Sequence, residues 1–248
     1  MEITSTNNEL VKTYAKLQQK KYRSETGKFL LEGYKAIKEA FDYGIEIETI
    51  FVEKSQIGEY SFAKNLITET NTAVLKKLSS TETAPPAVAV AKQKIFDIKE
   101  FKNFKKVILL EGIKDLGNLG TIIRSAAAFG CEGIVLYGNC ADIYNPKCVR
   151  SSVGNLWKIP VVQVRELSQL KKIFDGFTII STLPKSKNLL KKYTPKPPML
   201  VMFGSEADGL SAELQNCSTD SIKIEMSKDV ESLNLAASAS VIMYELFT

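Results

Sequence analysis

The sequence contains no histidine, and this absence excludes several kinds of catalytic and metal chemistry. Without an imidazole, the chain cannot build a Ser-His-Asp or Cys-His nucleophile system, a histidine general base or a zinc site with histidine ligands. The four cysteines show no C-x-x-C spacing, so we expect reduced thiols rather than a disulfide framework or a metal site. No apolar run approaches the roughly 20 residues that span a bilayer, and no secretory signal follows Met1. We therefore expect a soluble, cytoplasmic protein that needs no metal.

The chain has little excess charge, but its basic residues are clustered. It carries 33 basic and 28 acidic residues, for a net charge of +5. Residues 11–28 hold six lysines or arginines against one acid, and residues 185–196 hold five lysines and no acid. Such clusters can neutralise phosphates with release of counterions. The alternative is a solvated surface that only keeps the protein soluble.

Two α/β regions are predicted. In the first, Asn7–Gln19 and Tyr34–Tyr43 follow helical spacing, and β-rich runs lie at Lys28–Leu31, Ile47–Val52 and Ala87–Ala91. In the second, apolar runs alternate with helical patterns, which predicts a parallel sheet covered by helices on both faces. Its strands are predicted at Val107–Glu111, Gly133–Tyr137, Ile159–Val164, Phe177–Thr182, Met199–Phe203 and Ser221–Ile224, and its helices at Leu119–Phe129, Leu167–Phe174, Leu210–Gln215 and Ser232–Phe247. We therefore predict a small α/β domain at 1–92, a lysine-rich linker at 93–106 and an α/β domain at 107–248.

Three segments place glycines and polar residues at or beside strand ends: Asn118–Ser125 (NLGTIIRS), Phe203–Leu210 (FGSEADGL) and Ile224–Ala237 (IEMSKDVESLNLAA). This pattern indicates a ligand crevice outside the carboxyl edge of the sheet. A dinucleotide site is not favoured. The glycines Gly117 and Gly120 have the wrong spacing, and no acid ends the second strand of this domain.

Individual residues in these segments fit both a structural and a functional role. Arg124 follows Asn118 by six residues, so both could face one cleft, and an unpaired charge within this apolar helix would be costly. Its planar guanidinium suits phosphate. Gly204 allows a close backbone approach and Glu206 can accept hydrogen bonds, although both also fit an ordinary turn. Ser232 fits the N-cap of a helix.

Together and in this order, the three segments resemble the motifs of the SpoU (TrmH-like) family of RNA 2′-O-ribose methyltransferases, of the SPOUT class. The resemblance covers the whole chain and includes Tyr144–Ser152, which is similar to the family's P-K-x-x-R-x-S stretch. One departure is Leu116, where members often have proline before the glycine; this changes loop stiffness more than chemistry. The resemblance implies a small RNA-binding domain followed by a catalytic domain with a deep trefoil knot, an exception to the rule that folds are unknotted.

The resemblance also implies roles for individual residues and for S-adenosyl-L-methionine as the cofactor. The implied catalytic residues are Arg124, Asn118, Glu206, Ser232 and Asn234. The implied cofactor-binding residues are Leu183, Phe203, Gly204, Ile224, Met226 and Leu233. Candidate RNA-binding residues are Lys12, Lys16, Lys20, Lys21, Arg23, Lys147 and Arg150.

The predicted function is therefore methyl transfer to a ribose 2′-hydroxyl, in ribosomal RNA with tRNA as the alternative substrate. Because the chain has no histidine, the sequence does not identify the general base that removes the proton from the hydroxyl. The resemblance implies that Arg124 takes part in deprotonation, whereas alkoxide stabilisation and hydroxyl positioning are physically easier for a group that normally stays protonated. Two other functions stay open: an RNA-binding module without catalysis, and a methyltransferase that acts on a base.

A homodimer is also expected. Apolar residues occupy nearly every direction around Ser232–Phe247, and such a helix must be buried on all sides. Leu119–Phe129 has a similar excess. The resemblance favours a second protomer as the cover, and the alternatives are a larger monomeric core or the N-terminal domain.

Overall fold

The computed structural model of the chain describes residues 1–194, 196–227, 229–230 and 232–248. It divides into two compact units, one of residues 1–94 with 142–157 and the other of residues 95–141 with 158–248. The domain boundaries predicted from the sequence differ from this division mainly at 142–157, which the sequence pattern left in the C-terminal domain. Its helix packs on the first strand of the N-terminal unit, a long-range contact that local periodicity does not encode.

The first unit is built on a four-stranded sheet with helices on both faces. Its strands are β1 (Lys28–Glu32), β2 (Ile47–Glu53), β3 (Ile67–Thr70) and β4 (Ala87–Lys92), in the order β1-β4-β2-β3. Strand β4 is antiparallel to both of its neighbours, and β3 is parallel to β2. The helices are α1 (Glu9–Ala15), α2 (Lys20–Thr26), α3 (Tyr34–Asp42), α4 (Thr72–Leu78) and α6 (Pro146–Ser152), with 3₁₀ segments at Lys16–Gln18 and Lys54–Leu66.

Alternation along the strands divides the side chains between the two faces. Leu30, Phe51, Val88 and Val90 pack with residues of α1 and α4 in one hydrophobic cluster. On β1, Phe29 contacts the ring of Tyr144 at 4.7 Å between centroids. Segment 142–157 thus supplies part of the hydrophobic packing around β1.

The second unit contains a six-stranded parallel sheet, which confirms the predicted α/β class. Its strands are β5 (Lys106–Glu111), β6 (Gly133–Tyr137), β7 (Val161–Val164), β8 (Thr178–Thr182), β9 (Met199–Phe203) and β10 (Asp220–Ile222), in the order β10-β8-β9-β5-β6-β7. The helices are α5 (Leu116–Ala128), α7 (Leu167–Ile173), α8 (Ala212–Gln215) and α9 (Leu235–Phe247), with 3₁₀ turns at Ile98–Asn103 and Leu190–Lys192. The interior positions of the central strands β5, β6 and β9 are apolar because both faces of the sheet are covered there.

The predicted linker is more ordered than its composition indicates. Residues Ile98–Asn103 form a 3₁₀ turn that begins with a capping box between Asp97 and Glu100. Phe101 of this turn is fully buried in the core of the second unit. A Cβ at Gly133 would lie 2.5 Å from the Phe101 ring, so this glycine makes room for the aromatic side chain. The turn therefore belongs to the second unit.

Two functional absences hold for the ranges that the structure describes. No helix there is long and apolar enough to cross a membrane, and no group of three or more Cys, Asp or Glu side chains is arranged to hold a metal ion.

Burial raises the pKa of the Cys131 and Cys148 thiols to about 12, so these groups are protonated at neutral pH.

Candidate active site

A crevice of about 780 Å³ opens at the carboxyl edge of the second unit's sheet. Its walls are the segments that follow β8, β9 and β10 and the start of α9. Because these three strands are parallel neighbours, their carboxyl ends meet at one edge, and the loops after them converge. The volume falls within the roughly 300–1,000 Å³ that small-molecule and cofactor sites occupy.

All six residues predicted to hold the cofactor line this crevice. They are Leu183, Phe203, Gly204, Ile224, Met226 and Leu233. Apolar side chains with a few polar groups between them suit a ligand that carries both a flat aromatic base and charged ends. The residues that line the crevice therefore fit a nucleoside-based cofactor. Lys228 and Glu231, in the same segment as Met226 and Leu233, lie outside the described residues.

The need for glycine at 204 comes from the protein backbone. A Cβ there would lie 1.9 Å from the carbonyl carbon of Gly209 and 2.1 Å from the backbone nitrogen of Leu210. The turn after β9 therefore folds back across Gly204, and any side chain would push this turn away. The sequence predicted a close approach at this position, but the structure shows that the approaching group is the chain itself.

Glu111 holds the far end of this turn and was not singled out by the sequence. It ends β5, and its Oε2 accepts a hydrogen bond of 2.7 Å from the backbone nitrogen of Ser211. Ser211 in turn caps α8 by accepting from the nitrogen of Leu214. In the sequence, only the acid at the end of the apolar run VILLE points to a role for Glu111, and it does not reveal that the carboxylate binds the backbone of Ser211.

Three polar side chains form a directed hydrogen-bond chain at the crevice. Asn234 is the N-cap of α9, and its Oδ1 accepts from the backbone nitrogens of Ala236 and Ala237. Its Nδ2 is therefore the group that faces Asn118, and it donates to Asn118 Oδ1 at 3.1 Å. This leaves Asn118 Nδ2 to donate to Glu206 Oε1 at 2.5 Å. The helix cap thus fixes the orientation of both amides and makes Glu206 an acceptor.

The prediction that Ser232 caps the last helix is wrong. The helix begins at Leu235, and Asn234 supplies the capping oxygen because it directly precedes the first helical turn. Ser232 instead lies exposed in the crevice wall, beside Leu233 and Asn234. Its hydroxyl is therefore accessible to a bound ligand.

Arg124 is not among the residues that line the crevice of its own chain, and its catalytic role stays a prediction. Six residues at about 100° each put it about 120° around α5 from Asn118. Arg124 is exposed, lies outside the crevice lining and forms no ion pair with the acidic residues that the structure describes. The burial penalty inferred from the apolar sequence does not apply, because the charge is in solvent.

The candidate RNA-binding residues divide into exposed lysines and two arginines that are held by carboxylates. Arg23 is the clear correction: it is 1 % exposed and donates to Asp142 Oδ2 through Nη2 at 2.6 Å and to the Leu17 carbonyl at 2.8 Å. The basic run predicts that Arg23 lies on the surface, but its guanidinium is buried and paired with Asp142. Arg150 donates to Glu32 at 3.1 Å and is half-buried.

The lysines of this set are all exposed. Lys12 pairs with Glu9 at 2.9 Å, and the ammonium groups of Lys16 and Lys21 lie 5.5 and 5.8 Å from the Tyr22 ring centroid. Lys20 and Lys147 complete the set. The N-terminal basic surface is therefore narrower than the sequence predicted, and it consists of lysines alone.

Comparison with known proteins decides the family. Residues 105–244 match the SpoU rRNA methylase family, and residues 8–89 match the MRM3-like substrate binding domain. An uncharacterized tRNA/rRNA methyltransferase of Synechocystis sp. is 35 % identical over 98 % of this chain and 92 % of its own length. The chain belongs to the SpoU rRNA methylase family.

Other members of the family extend this assignment. The 23S rRNA (guanosine(2553)-2′-O)-methyltransferase RlmP of Bacillus subtilis is 28 % identical over 99 % of this chain and 98 % of its own length. The crystal structure of an AdoMet-bound rRNA methyltransferase from Sinorhizobium meliloti superposes with a TM-score of 0.90 at 27 % identity, and the match covers 99 % of this chain and 96 % of that one.

This SpoU family member is an S-adenosylmethionine-dependent RNA methyltransferase. The predicted cofactor is confirmed, and the alternative of an RNA-binding module without catalysis is not supported. The trefoil knot stays a prediction of the resemblance.

Proposed function

We propose that this enzyme methylates the 2′-hydroxyl of a ribose in ribosomal RNA. The observation that carries the proposal is the chain of hydrogen bonds from Asn234 through Asn118 to Glu206, at the crevice that suits the cofactor. RlmP, similar over nearly its whole length, is a 23S rRNA 2′-O-methyltransferase. A hydroxyl nucleophile needs an oriented acceptor, and the amide chain provides one in Glu206.

The chain's own residues bind, orient and exclude water. Leu183, Phe203, Ile224, Met226 and Leu233 would hold the cofactor between apolar walls, which also keep water away from the reacting atoms. When bound, S-adenosylmethionine supplies an electrophilic methyl group on a sulfonium centre.

The polar residues position the nucleophile. Glu206 accepts a hydrogen bond from the ribose hydroxyl, and Asn118 keeps the carboxylate oriented toward it. Holding the hydroxyl in line with the methyl group supplies a large part of the rate enhancement, because alignment replaces a costly bimolecular encounter. Ser232, exposed in the same wall, contacts the ligand from the side of α9.

Arg124 acts at the crevice of a second protomer, where it stabilises the developing alkoxide and holds a neighbouring RNA phosphate. Its exposure and its position outside its own crevice lining support this placement. The dimer forms through α9, whose Val241 and Tyr244 are 45 % and 59 % exposed although they are large and apolar. A second copy packed on this face covers both side chains.

The N-terminal domain, residues 1–92, binds the RNA substrate in the cytoplasm. Its match to a substrate binding domain over 8–89 and its exposed Lys20 and Lys21 support this role. Removal of Arg23 from the candidate contacts leaves the lysines as the source of phosphate binding.

Methyl mapping tests the reaction. The purified enzyme is incubated with labelled S-adenosylmethionine and ribosomal RNA from a strain that lacks ribose methylation, and the modified nucleotide is located by its resistance to alkaline cleavage. We expect label on one ribose and none on a base. Label on a base, or on tRNA alone, would contradict the proposal.

Sedimentation tests the dimer. At micromolar concentration we expect about twice the 27.5 kDa chain mass, and Tyr244→Glu together with Val241→Glu should shift the enzyme toward monomer and reduce methylation. An enzyme that is monomeric and fully active would refute the dimer.

A further inference from the structure

The second unit carries a segment whose exposed charged side chains are all lysines. We call four of these exposed residues, Lys187, Lys191, Lys192 and Lys196, the lysine surface. Residues 185–196 contain no acid. None of the four lysines forms an ion pair with an acidic residue that the structure describes. This differs from the N-terminal cluster, in which Lys12 is paired and Arg23 is buried.

The backbone that carries the lysine surface is fixed to the sheet. Leu190 donates its N–H to the Lys223 carbonyl at 2.8 Å, and Lys223 donates to the carbonyl of Asn188 at 3.0 Å. The hydroxyl of Ser186, itself 5 % exposed, donates to the Ser221 carbonyl at 2.9 Å. Leu190 is also buried, at 4 % exposure. The charges therefore project from an ordered frame, which lowers the entropy lost when they bind a ligand.

The segment leads directly away from the cofactor crevice. Leu183 and Lys185, at its beginning, line the crevice, and so does Lys223, which pairs with its middle. A nucleotide whose ribose enters this crevice carries phosphates on both sides. Those phosphates pass over the surface around the crevice. Lys187, Lys191 and Lys192 follow the crevice residue Lys185 in the chain, whereas Lys196 lies toward the other edge of the sheet, where its carbonyl accepts a hydrogen bond of 2.8 Å from Thr178 Oγ1 at the start of β8.

We propose that the lysine surface binds the RNA phosphates that flank the target nucleotide, as an RNA contact of the catalytic unit itself. The inference rests on the proposed RNA substrate. It assigns to the catalytic unit a phosphate contact that is separate from the lysines of the N-terminal domain. A charge-based contact of this kind raises affinity for RNA of any sequence and makes that affinity salt-dependent.

The test replaces all four side chains by glutamine in the full-length enzyme, K187Q/K191Q/K192Q/K196Q. Lys185 and Lys223 are left unchanged because they line the crevice. The matched control, K102Q/K105Q/K171Q/K172Q, removes the same charge from exposed positions elsewhere on the second unit. Binding to a ribosomal RNA fragment is measured by fluorescence anisotropy at several salt concentrations, and cofactor affinity is measured by calorimetry.

We expect the lysine-surface variant to lose about tenfold or more in RNA affinity near 0.1 M salt. If two of the four lysines each neutralise one phosphate, the slope of log K against log salt concentration becomes shallower by about 1.4 for single-stranded RNA. Cofactor affinity stays at the parental value, and the control variant keeps the parental RNA affinity and slope.

Three outcomes would overturn the inference. Equal RNA affinity and slope in the two variants would show a solvated surface. A loss of cofactor affinity in the lysine-surface variant would show that the segment acts through the crevice. A loss of binding to polyglutamate with unchanged RNA binding would assign the surface to an acidic protein. If the parental enzyme methylates ribosomal RNA while any of these holds, the proposed function survives, whereas a parental enzyme that neither binds nor methylates RNA refutes both.

Discussion

Asn234 performs two tasks that substitutions can separate. Its Oδ1 caps α9, and its Nδ2 orients Asn118 toward Glu206. Serine caps helices about as well as asparagine but has no amide with which to reach Asn118, whereas alanine provides neither function. Asn234→Ser therefore removes only the orienting hydrogen bond, and Asn234→Ala removes both the hydrogen bond and the cap.

The two variants should differ in stability and agree in rate. Loss of an N-cap costs about 1 kcal/mol, which lowers Tm by about 2–4 °C for a chain of this size. We therefore expect the Tm of Asn234→Ala to lie that much below the Tm of Asn234→Ser, which keeps the cap. The lost hydrogen bond is worth about 1 kcal/mol, and because Asn118 can then turn away from Glu206, kcat should fall about fivefold in both variants.

Scanning calorimetry and methyl-transfer kinetics on ribosomal RNA provide the two readouts. Asn71→Ala is the control, since Asn71 caps α4 in the first unit and does not line the crevice. It should lose stability and keep the parental kcat. A parental kcat in Asn234→Ser would refute the role of the amide chain, and an equal loss of stability in the serine and alanine variants would refute the account of the cap.

Three further predictions concern the crevice and the dimer. Gly204→Ala should lose about 1–3 kcal/mol in denaturant unfolding together with cofactor affinity, because its Cβ would strike the Gly209 backbone; parental stability would refute the clash. Glu111→Leu should weaken cofactor binding in calorimetry, whereas Glu111→Gln, which keeps an acceptor for Ser211, should retain most of it; equal losses would exclude the hydrogen bond as the cause. Co-expressed Arg124→Ala and Glu206→Ala chains, each inactive alone, should recover about a quarter of parental methylation if Arg124 serves the partner's crevice in randomly mixed dimers, and no recovery would place Arg124 in its own site.

The sequence was informative wherever function depends on the ends of strands. Continuous apolar runs located β6 and β9 at their observed bounds, because a strand buried on both faces must be apolar throughout. The family motifs then identified all six crevice residues predicted for the cofactor. Parallel order brings strand ends to one edge, so a correct set of strands already implies a common site.

The direction and burial of side chains were much harder to predict from the sequence than the positions of strands. Arg23 looked like one more charge in a basic run, but its carboxylate partner, Asp142, is 119 residues away in the chain. Spacing alone puts Arg124 and Asn118 within reach of one cleft, but the phase of an ordinary α-helix separates them. Segment 142–157 joined the first unit for the same reason, since contact between distant parts of the chain decided its place.

Structural and functional explanations for the motif residues turn out to be compatible. Gly204 is required by a turn, and that turn is a wall of the crevice. Asn234 is required by a helix, and the hydrogen bond left over after capping sets the direction of the amide chain. In both cases the backbone requirement comes first and the site inherits its geometry from it. A substitution that satisfies the backbone but not the site, such as Asn234→Ser, is therefore more informative than a deletion, because it leaves the fold in place while it removes the chemistry.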